Sequence, residues 1–350
     1  MILAAVLLFP CRVGAISAEK AIVMDGNTGR VLYEKAADSR SLIASCTKIM
    51  TALIICEQCN VLDRVKIPEE AVGIEGSSMY LQAGEVLTVQ ELLYGLMLRS
   101  GNDAAMALAI YCAGTAEGFA ELMNDKAHRL GLQNTHFVNP HGLDAPDHYS
   151  TAKDLAVLAA YAMRDPIFAK TVSTKSIQVG QRYLTNHNKL LWRVEGAEGV
   201  KTGFTKAAGR ILVSSTSRNG RRLICVTIND GNDWVDHGAL LDKGFAEFAP
   251  TQIVSKGDIV GSVKLLSAEQ PQVALMAAED FSYALADGER VSILLSGSGF
   301  AYGPVVRGQA AGYAHVCLDE QVIGKVAVVY ADTVEMPKEE KKHFWEDWFH

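Results

Sequence analysis

Asn219-Gly220 separates two apolar runs, residues 210–216 and 221–228. Asn-Gly supplies the two left-handed residues of a tight type I′ turn, so the runs pair as antiparallel neighbours. A second hairpin signal, Asp25-Gly26-Asn27-Thr28-Gly29, lies between the short apolar runs 21–24 and 30–33. The stretch between the hairpins reads as helical. A helix from Ser45 through Cys56 is apolar on nearly every side and is therefore buried. Thr88-Val89-Gln90-Glu91 is a capping box that opens a helix over 92–98. Ser100-Gly101-Asn102 interrupts it, and helical pattern resumes over 103–112 and 119–130, the latter stopped by Gly131. Ser150 is placed to cap a helix over 151–163, and one more spans 235–248 before Pro250. Strands at both ends of a helical block predict an α+β fold, an antiparallel sheet packed with a helical cluster. From 253 to 330 only short alternating runs occur, which predicts a separate small all-β domain.

Composition narrows the function classes. The chain has 350 residues, and its 33 Lys+Arg against 40 Asp+Glu leave a net charge of −7. A nucleic-acid binder would carry a basic stripe instead. An apolar fraction of 49% with 21% charged residues is material for a packed core. No apolar run reaches the roughly 18 residues of a spanning helix, which excludes a polytopic membrane protein. Seven cysteines are too few for a disulfide scaffold of this length.

Both ends of the chain suggest export. Residues 1–8 are apolar and small residues follow to Ala18, so residues 1–18 read as a signal peptide with the mature sequence starting near Glu19. Leu8-Phe9-Pro10 before Cys11 is not a lipobox. The expected organisation is then a catalytic domain over 19–250, the β domain over 251–333 and a tail over 334–350. In that tail Phe344, Trp345, Trp348 and Phe349 share one face of a helix, with Lys341 and Lys342 just before them. That pattern predicts a weak membrane-surface anchor, weakened further by Glu346 and Asp347.

Ser45-Cys46-Thr47-Lys48 sets a hydroxyl and an amine at i and i+3, on one face of the buried helix. Burial lowers a lysine pKa, and a lysine so lowered beside a serine is what an activated serine nucleophile requires. Ser100-Gly101-Asn102 presents a second hydroxyl and an amide. Lys201-Thr202-Gly203 falls just before the 210–228 hairpin, on an expected neighbouring strand, where Lys201 and Thr202 can face an anion and Gly203 leaves room for a substrate backbone. S-x-x-K, S-x-N and K-T-G in this order are the motif set of penicillin-binding proteins and class A β-lactamases.

The surrounding text extends the match: Ile43-Ala44-Ser45-Cys46-Thr47-Lys48-Ile49-Met50-Thr51, Ser100-Gly101-Asn102-Asp103-Ala104, Asn139-Pro140-His141-Gly142-Leu143-Asp144 and Gly199-Val200-Lys201-Thr202-Gly203-Phe204-Thr205. With these segments the chain resembles the D-alanyl-D-alanine carboxypeptidases, the low-molecular-mass penicillin-binding serine peptidases of bacteria. The resemblance implies a β-lactamase/transpeptidase-like fold and an exported enzyme, working at the outer face of the membrane or in the wall. It would trim the terminal D-Ala from peptidoglycan stem pentapeptides, take β-lactams as covalent inhibitors and need no cofactor. It further implies Ser45 as nucleophile, Lys48 as its base, Ser100 as proton relay to the leaving amine, and Asn102 as a holder of Lys48 and the substrate amide. Lys201 and Thr202 would bind the substrate carboxylate, and the backbone N–H groups of Ser45 and Phe204 would form the oxyanion hole.

Two departures stand out. Cys46, where relatives more often have Leu or Thr, sets an oxidisable thiol beside the nucleophile. An arginine that some relatives carry after the strand pair gives way here to Asn232-Asp233-Trp234, which puts one carboxylate contact in doubt. Cys56-x-x-Cys59 reads as core thiols rather than a redox pair, and no metal-ligand spacing occurs. His136, His141 and His148 read as surface or loop-ordering residues, and His187 as a residue bordering the cleft. The rival activities are a D,D-endopeptidase, a β-lactamase-like hydrolase and a non-catalytic wall-binding protein. Gly101 and the lack of a clear glutamate loop argue against the β-lactamase.

Overall fold

The computed structural model describes residues 16–297 and 299–337 and separates into two units, divided between Glu247 and Phe248. The first unit opens with the hairpin β1 (Lys20–Asp25) and β2 (Val31–Lys35). A 3-10 turn over Ala44–Thr47 leads directly into α1 (Lys48–Gln58). Next come the short pair β3 (Arg64–Lys66) and β4 (Val86–Thr88), and the helices α2 (Val89–Leu98), α3 (Asn102–Ala113), α4 (Ala116–Arg129), α5 (Ala152–Ala162) and α6 (Pro166–Ser173). The hairpin β5 (Ser176–Val179) and β6 (Arg182–Thr185) and the one-turn α7 (Leu190–Arg193) precede three long strands, β7 (Ala197–Thr205), β8 (Gly209–Arg218) and β9 (Arg221–Ile228). Helix α8 (Asp233–Glu247) closes the unit.

The five-stranded sheet runs β2-β1-β9-β8-β7, and every pairing in it is antiparallel. Chain ends thus meet in the middle of the sheet, as the α+β expectation requires. Strand residues alternate between two cores. Ala21, Val23, Leu223 and Cys225 pack with Leu240 and Leu241 of α8. Ile22, Met24, Ile224, Val226 and Ile228 pack with the helical cluster on the other face. A sheet covered on both faces makes continuous apolar strands, which is why 221–228 has so little polar alternation.

Local chemistry explains most boundaries. Thr88 and Glu91 form the expected capping box at α2. The cap of α5 is Thr151, whose side chain accepts from the Asp154 N–H, and not Ser150, whose backbone instead bridges to Ser41. Several short elements escaped the sequence reading, among them α6, capped by Asp165 with Pro at its first turn, and the hairpin β5–β6, whose four-residue strands are too short for a periodic signal.

Of the expected leader, residues 1–15 lie outside the described residues. The fold makes use of the next three. Ile16 and Ala18 join the core under α8, and the Ser17 hydroxyl donates to Asp230 (2.6 Å) while its amide donates to Asp236 (2.6 Å).

The second unit is all β. Strands β10 (Phe248–Val254), β11 (Ile259–Leu266), β12 (Gln272–Ala277), β13 (Phe281–Ala286), β14 (Val291–Ser296), β15 (Phe300–Tyr302), β16 (Ala310–Leu318) and β17 (Gln321–Tyr330) form a β10-β13 pair and a six-stranded sheet ordered β14-β16-β17-β12-β11-β15. Its small cores are its own, built around Leu275 and Tyr330 and around Val316 and Val326. No helix among the described residues is long and apolar enough to cross a membrane. The aromatic residues of the tail lie outside the described residues.

Candidate active site

Ser45 lies in the 3-10 turn that feeds α1, at the positive end of that helix, where developing negative charge is favoured. The residue before it, Ala44, is held at φ +44°, and Ser100, between α2 and α3, at φ +62°. Left-handed backbone at a residue other than glycine costs about 1–3 kcal/mol and persists only where surrounding packing enforces it. Both strained positions belong to the motifs found in the sequence.

Lys48 is fully buried at the first turn of α1. Its Nζ lies 3.0 Å from Ser45 Oγ and 2.6 Å from Asn102 Oδ1, and it donates to the backbone carbonyl of His141. The amide and carbonyl oxygens can only accept. A neutral amine has two hydrogens, which those two oxygens satisfy, and its lone pair then remains for the Ser45 hydroxyl. Burial, then the Lys201 charge, lower the Lys48 pKa well below that of an ordinary lysine. The surroundings therefore favour the form that can take a proton.

Each arm of this arrangement has its own support. Asn102 begins α3; its backbone N–H donates to Ser77 O (2.7 Å) and its Nδ2 to Glu75 O, which fixes Oδ1 toward Lys48. Asp103 next to it accepts from the Met79 and Leu81 amides and from Ser78 Oγ, binding the 77–81 strap to the helix. The His141 carbonyl is aimed by a knot around Asn139, whose Oδ1 accepts from the Gly142 amide (2.7 Å) and whose Nδ2 donates to Leu143 O (2.9 Å). Thr51 of α1 donates to Pro140 O at 2.6 Å. Gly142 has φ +88°, and a Cβ there would come within 1.9 Å of Ala44 O, so only glycine lets this loop lie against the turn that carries Ser45.

The histidines correct part of the sequence reading. His141 and His148 are buried rather than on the surface. His148 Nδ1 accepts from the Val138 amide (3.1 Å), so its proton is on Nε2, which donates to Thr47 Oγ1 (2.8 Å). It orders the loop and braces the turn that carries Ser45. Burial lowers the pKa of both to about 4. His136 donates from Nδ1 to the Asp147 carbonyl (2.6 Å) near the surface.

A cleft of about 480 Å³ opens over Ser45. Its wall includes Ser77, Ser100, His187, Thr202, Gly203, Phe204, Arg210, Asp233 and Trp234. His187 does border the cleft, presented by Asn186 and Asn188, which cap their own loop. Thr202, Gly203 and Phe204 belong to β7, the edge strand of the sheet, and among the described residues no strand pairs with its outer side, where an extended chain could add.

Lys201 is fully buried and lies beneath the wall; its Nζ donates to the Thr202 carbonyl (2.8 Å), and burial lowers its pKa to about 8. Arg210 is the residue that the sequence reading missed. It stands on β8 opposite Phe204 and half exposed, with a forked ion pair to Asp233 (2.7 Å) and its guanidinium over Trp234. The Asn232-Asp233-Trp234 segment thus holds an arginine that comes from another element. The register Phe204↔Arg210, legible only once β7 and β8 are paired, was the missing signal. Cys46 is buried and its thiol is pushed up to about 12 by desolvation, so it is an inert core thiol and not the oxidisable one expected.

Residues 9–232 match the family model of the D-alanyl-D-alanine carboxypeptidases, peptidase family S11. The chain belongs to that family. Residues 248–336 match the C-terminal domain of penicillin-binding protein 5. D-alanyl-D-alanine carboxypeptidase DacF of Bacillus subtilis is 32% identical over 332 residues, 90% of this chain and 85% of the relative. Penicillin-binding protein 5 of Haemophilus influenzae superposes with a TM-score of 0.78 at 30% identity, covering 92% of this chain and 98% of that one. A mutant of the Streptomyces K15 DD-transpeptidase, at TM-score 0.64 and 35% identity, covers 67% of this chain and 99% of its own.

Proposed function

We propose that this protein is a serine D,D-carboxypeptidase that removes the terminal D-Ala of peptidoglycan stem pentapeptides through an acyl-enzyme on Ser45, and that penicillins acylate the same residue. One observation carries the reading: a buried lysine whose two neutral-amine hydrogens are matched by Asn102 Oδ1 and the His141 carbonyl while Ser45 Oγ lies 3.0 Å away.

The stem peptide lies along β7 with its carboxylate toward Thr202 and Arg210, and buried Lys201 adds positive potential from below. This explains how a chain of net charge −7 receives an anionic peptide. Ser45 Oγ attacks the carbonyl carbon of the D-Ala–D-Ala bond as Lys48 takes its proton. The Ser45 and Phe204 N–H groups stabilise the oxyanion, at roughly 3–4 kcal/mol per donor. Ser100 passes a proton to the leaving amine, D-Ala departs, and water hydrolyses the ester. The acyl-enzyme formed with penicillin deacylates slowly, because among the described residues the carboxylate lining the cleft, Asp233, is held by Arg210 and not free to act as a base.

The reading extends to location. The leader-like start supports export, and the aromatic tail supports weak peripheral attachment to the outer face of the membrane. Incubation of the purified protein with a pentapeptide, a cross-linked dimer and a penicillin tests the activity. The expected result is D-Ala release from the pentapeptide and stoichiometric penicillin labelling, both lost in Ser45→Ala. Faster cleavage of the cross-linked dimer would make it an endopeptidase, and steady penicillin turnover a β-lactamase.

A further inference from the structure

The Cys56-x-x-Cys59 motif resolves differently from its sequence reading, because the partner that Cys59 meets is on another helix. Cys59 ends α1 and Cys112 lies in the last turn of α3, and both are partly exposed. Helices α1 and α3 run side by side, their N-terminal ends joined by the Lys48–Asn102 bond. At the opposite ends the Cys112 Sγ is 3.8 Å from Oε1 of Gln58, the neighbour of Cys59, and the Cys59 and Cys112 thiols lie near enough to shift each other's acidity. Tyr111 Oη donates to Asp63 Oδ2 (2.7 Å), which draws the end of α3 against the loop after Cys59.

Among the described residues the remaining thiols are poor competitors. Cys46, Cys225 and Cys317 are buried. Cys56 is on α1 itself, and burial first, then the Asp165 and Glu57 charges, push its thiol up to about 12. Each thiol shifts the other: Cys59 lowers the pKa of Cys112 and is raised in return. Both are partly exposed, so one can meet a small disulfide and the other resolve it.

We propose that Cys59 and Cys112 form a reversible disulfide that staples the C-terminal ends of α1 and α3, the two helices that carry Lys48 and Asn102 at their other ends. The oxidant is a small disulfide such as oxidised glutathione. The Cys112 thiolate attacks one of its sulfurs, the external S–S bond breaks and one thiolate leaves. Cys59 gives its proton to solvent and attacks the Cys112 sulfur, releasing the second thiol. Two protein thiols lose two electrons, and one external disulfide becomes two thiols. Along α1 the staple is roughly 16 Å from the catalytic lysine, at 1.5 Å per residue. It therefore acts on the stability of the helix pair and leaves acylation at room temperature unchanged.

The test uses the full-length protein, equilibrated with oxidised or reduced glutathione, alkylated and peptide-mapped. The expected result is a Cys59–Cys112 linked peptide in the oxidised sample, with a protein mass lower by about 2 Da before alkylation. The thermal midpoint rises on the order of 5 °C on oxidation, a shift retained in Cys56→Ser and lost in Cys59→Ser and Cys112→Ser. A Cys56–Cys59 link, full alkylation of Cys59 and Cys112 after oxidation, or a thermal shift that survives Cys112→Ser overturns the proposal.

Discussion

At Lys48 the surrounding oxygens would match an ammonium as well as an amine, and it is burial with the Lys201 charge that tips the group toward the neutral form. Three acceptors surround the nitrogen, yet only Ser45 can return a proton to it. Arginine cannot give up its proton in this range. Lys48→Arg is expected to lower the acylation rate by about 100-fold or more while the folded state persists. Stopped-flow penicillin labelling beside a thermal melt checks both halves. Because the lysine pKa is lowered, acylation should persist at pH values well under the ordinary 10.5, and a rate that fell away below that value would contradict a neutral base. Arg210 is the second residue with a distinct signature. Arg210→Gln removes a charged donor worth roughly 1.5–3 kcal/mol, so kcat/KM for a free-carboxylate peptide should fall about 10- to 100-fold. An amidated peptide should lose far less. Equal losses on the two substrates would remove Arg210 from carboxylate recognition.

Among the elements, the 139–143 loop contributes most beyond the three motifs. It carries no catalytic side chain, and its backbone aims the His141 carbonyl at Lys48. The sequence displayed this loop as a matching segment, but a backbone carbonyl leaves no mark in a pattern of side chains. Gly142→Ala combines a left-handed residue with a clash against Ala44 O and should cost about 3 kcal/mol or more, with slower acylation. Gly131→Ala, also at positive φ but facing open space, should cost only about 1 kcal/mol and leave acylation intact. Chemical denaturation of the two variants distinguishes contact from conformation. Helix ends were more legible. The Thr88 box and the Asn219-Gly220 turn depend on neighbours a few residues apart, whereas the α5 cap passed to Thr151 because Ser150 pairs with Ser41, more than a hundred residues away.

For the whole molecule, three buried imidazoles and His187 at the cleft edge contribute to the response to acid. Burial lowers His141, His148 and His187 to about 4 and His237 to about 3, from an ordinary 6.5. Below 6.5 the unfolded chain binds protons that the native state refuses, so stability falls as pH drops from about 6.5 toward 4 and changes little from these groups above 7. His237 extends the window lowest; it bridges Ser214 (2.7 Å) and Thr227 (3.0 Å) within the sheet, far from water. A thermal midpoint several degrees lower at pH 4.5 than at pH 7 is expected, and His237→Gln should flatten the part of the slope below pH 5. A midpoint indifferent to pH across this interval would show that the imidazoles are protonated in the native state.

Sequence alone determined what depends on short range or on residue type. The hairpins, the buried first helix, the order of S-x-x-K, S-x-N and K-T-G, the α+β plan and the separate β domain all follow from periodicity, turn chemistry and motif spacing. Those features are local, and local free-energy preferences are written in neighbouring residues. Tertiary structure decided what depends on residues far apart in the chain. It lowered the Lys48 pKa by burying the amine beside the Lys201 charge, set Arg210 in the cleft, and brought Cys112 of α3 to the end of α1. Burial and through-space charge depend on distance in the folded chain, and spacing along the sequence does not encode that distance.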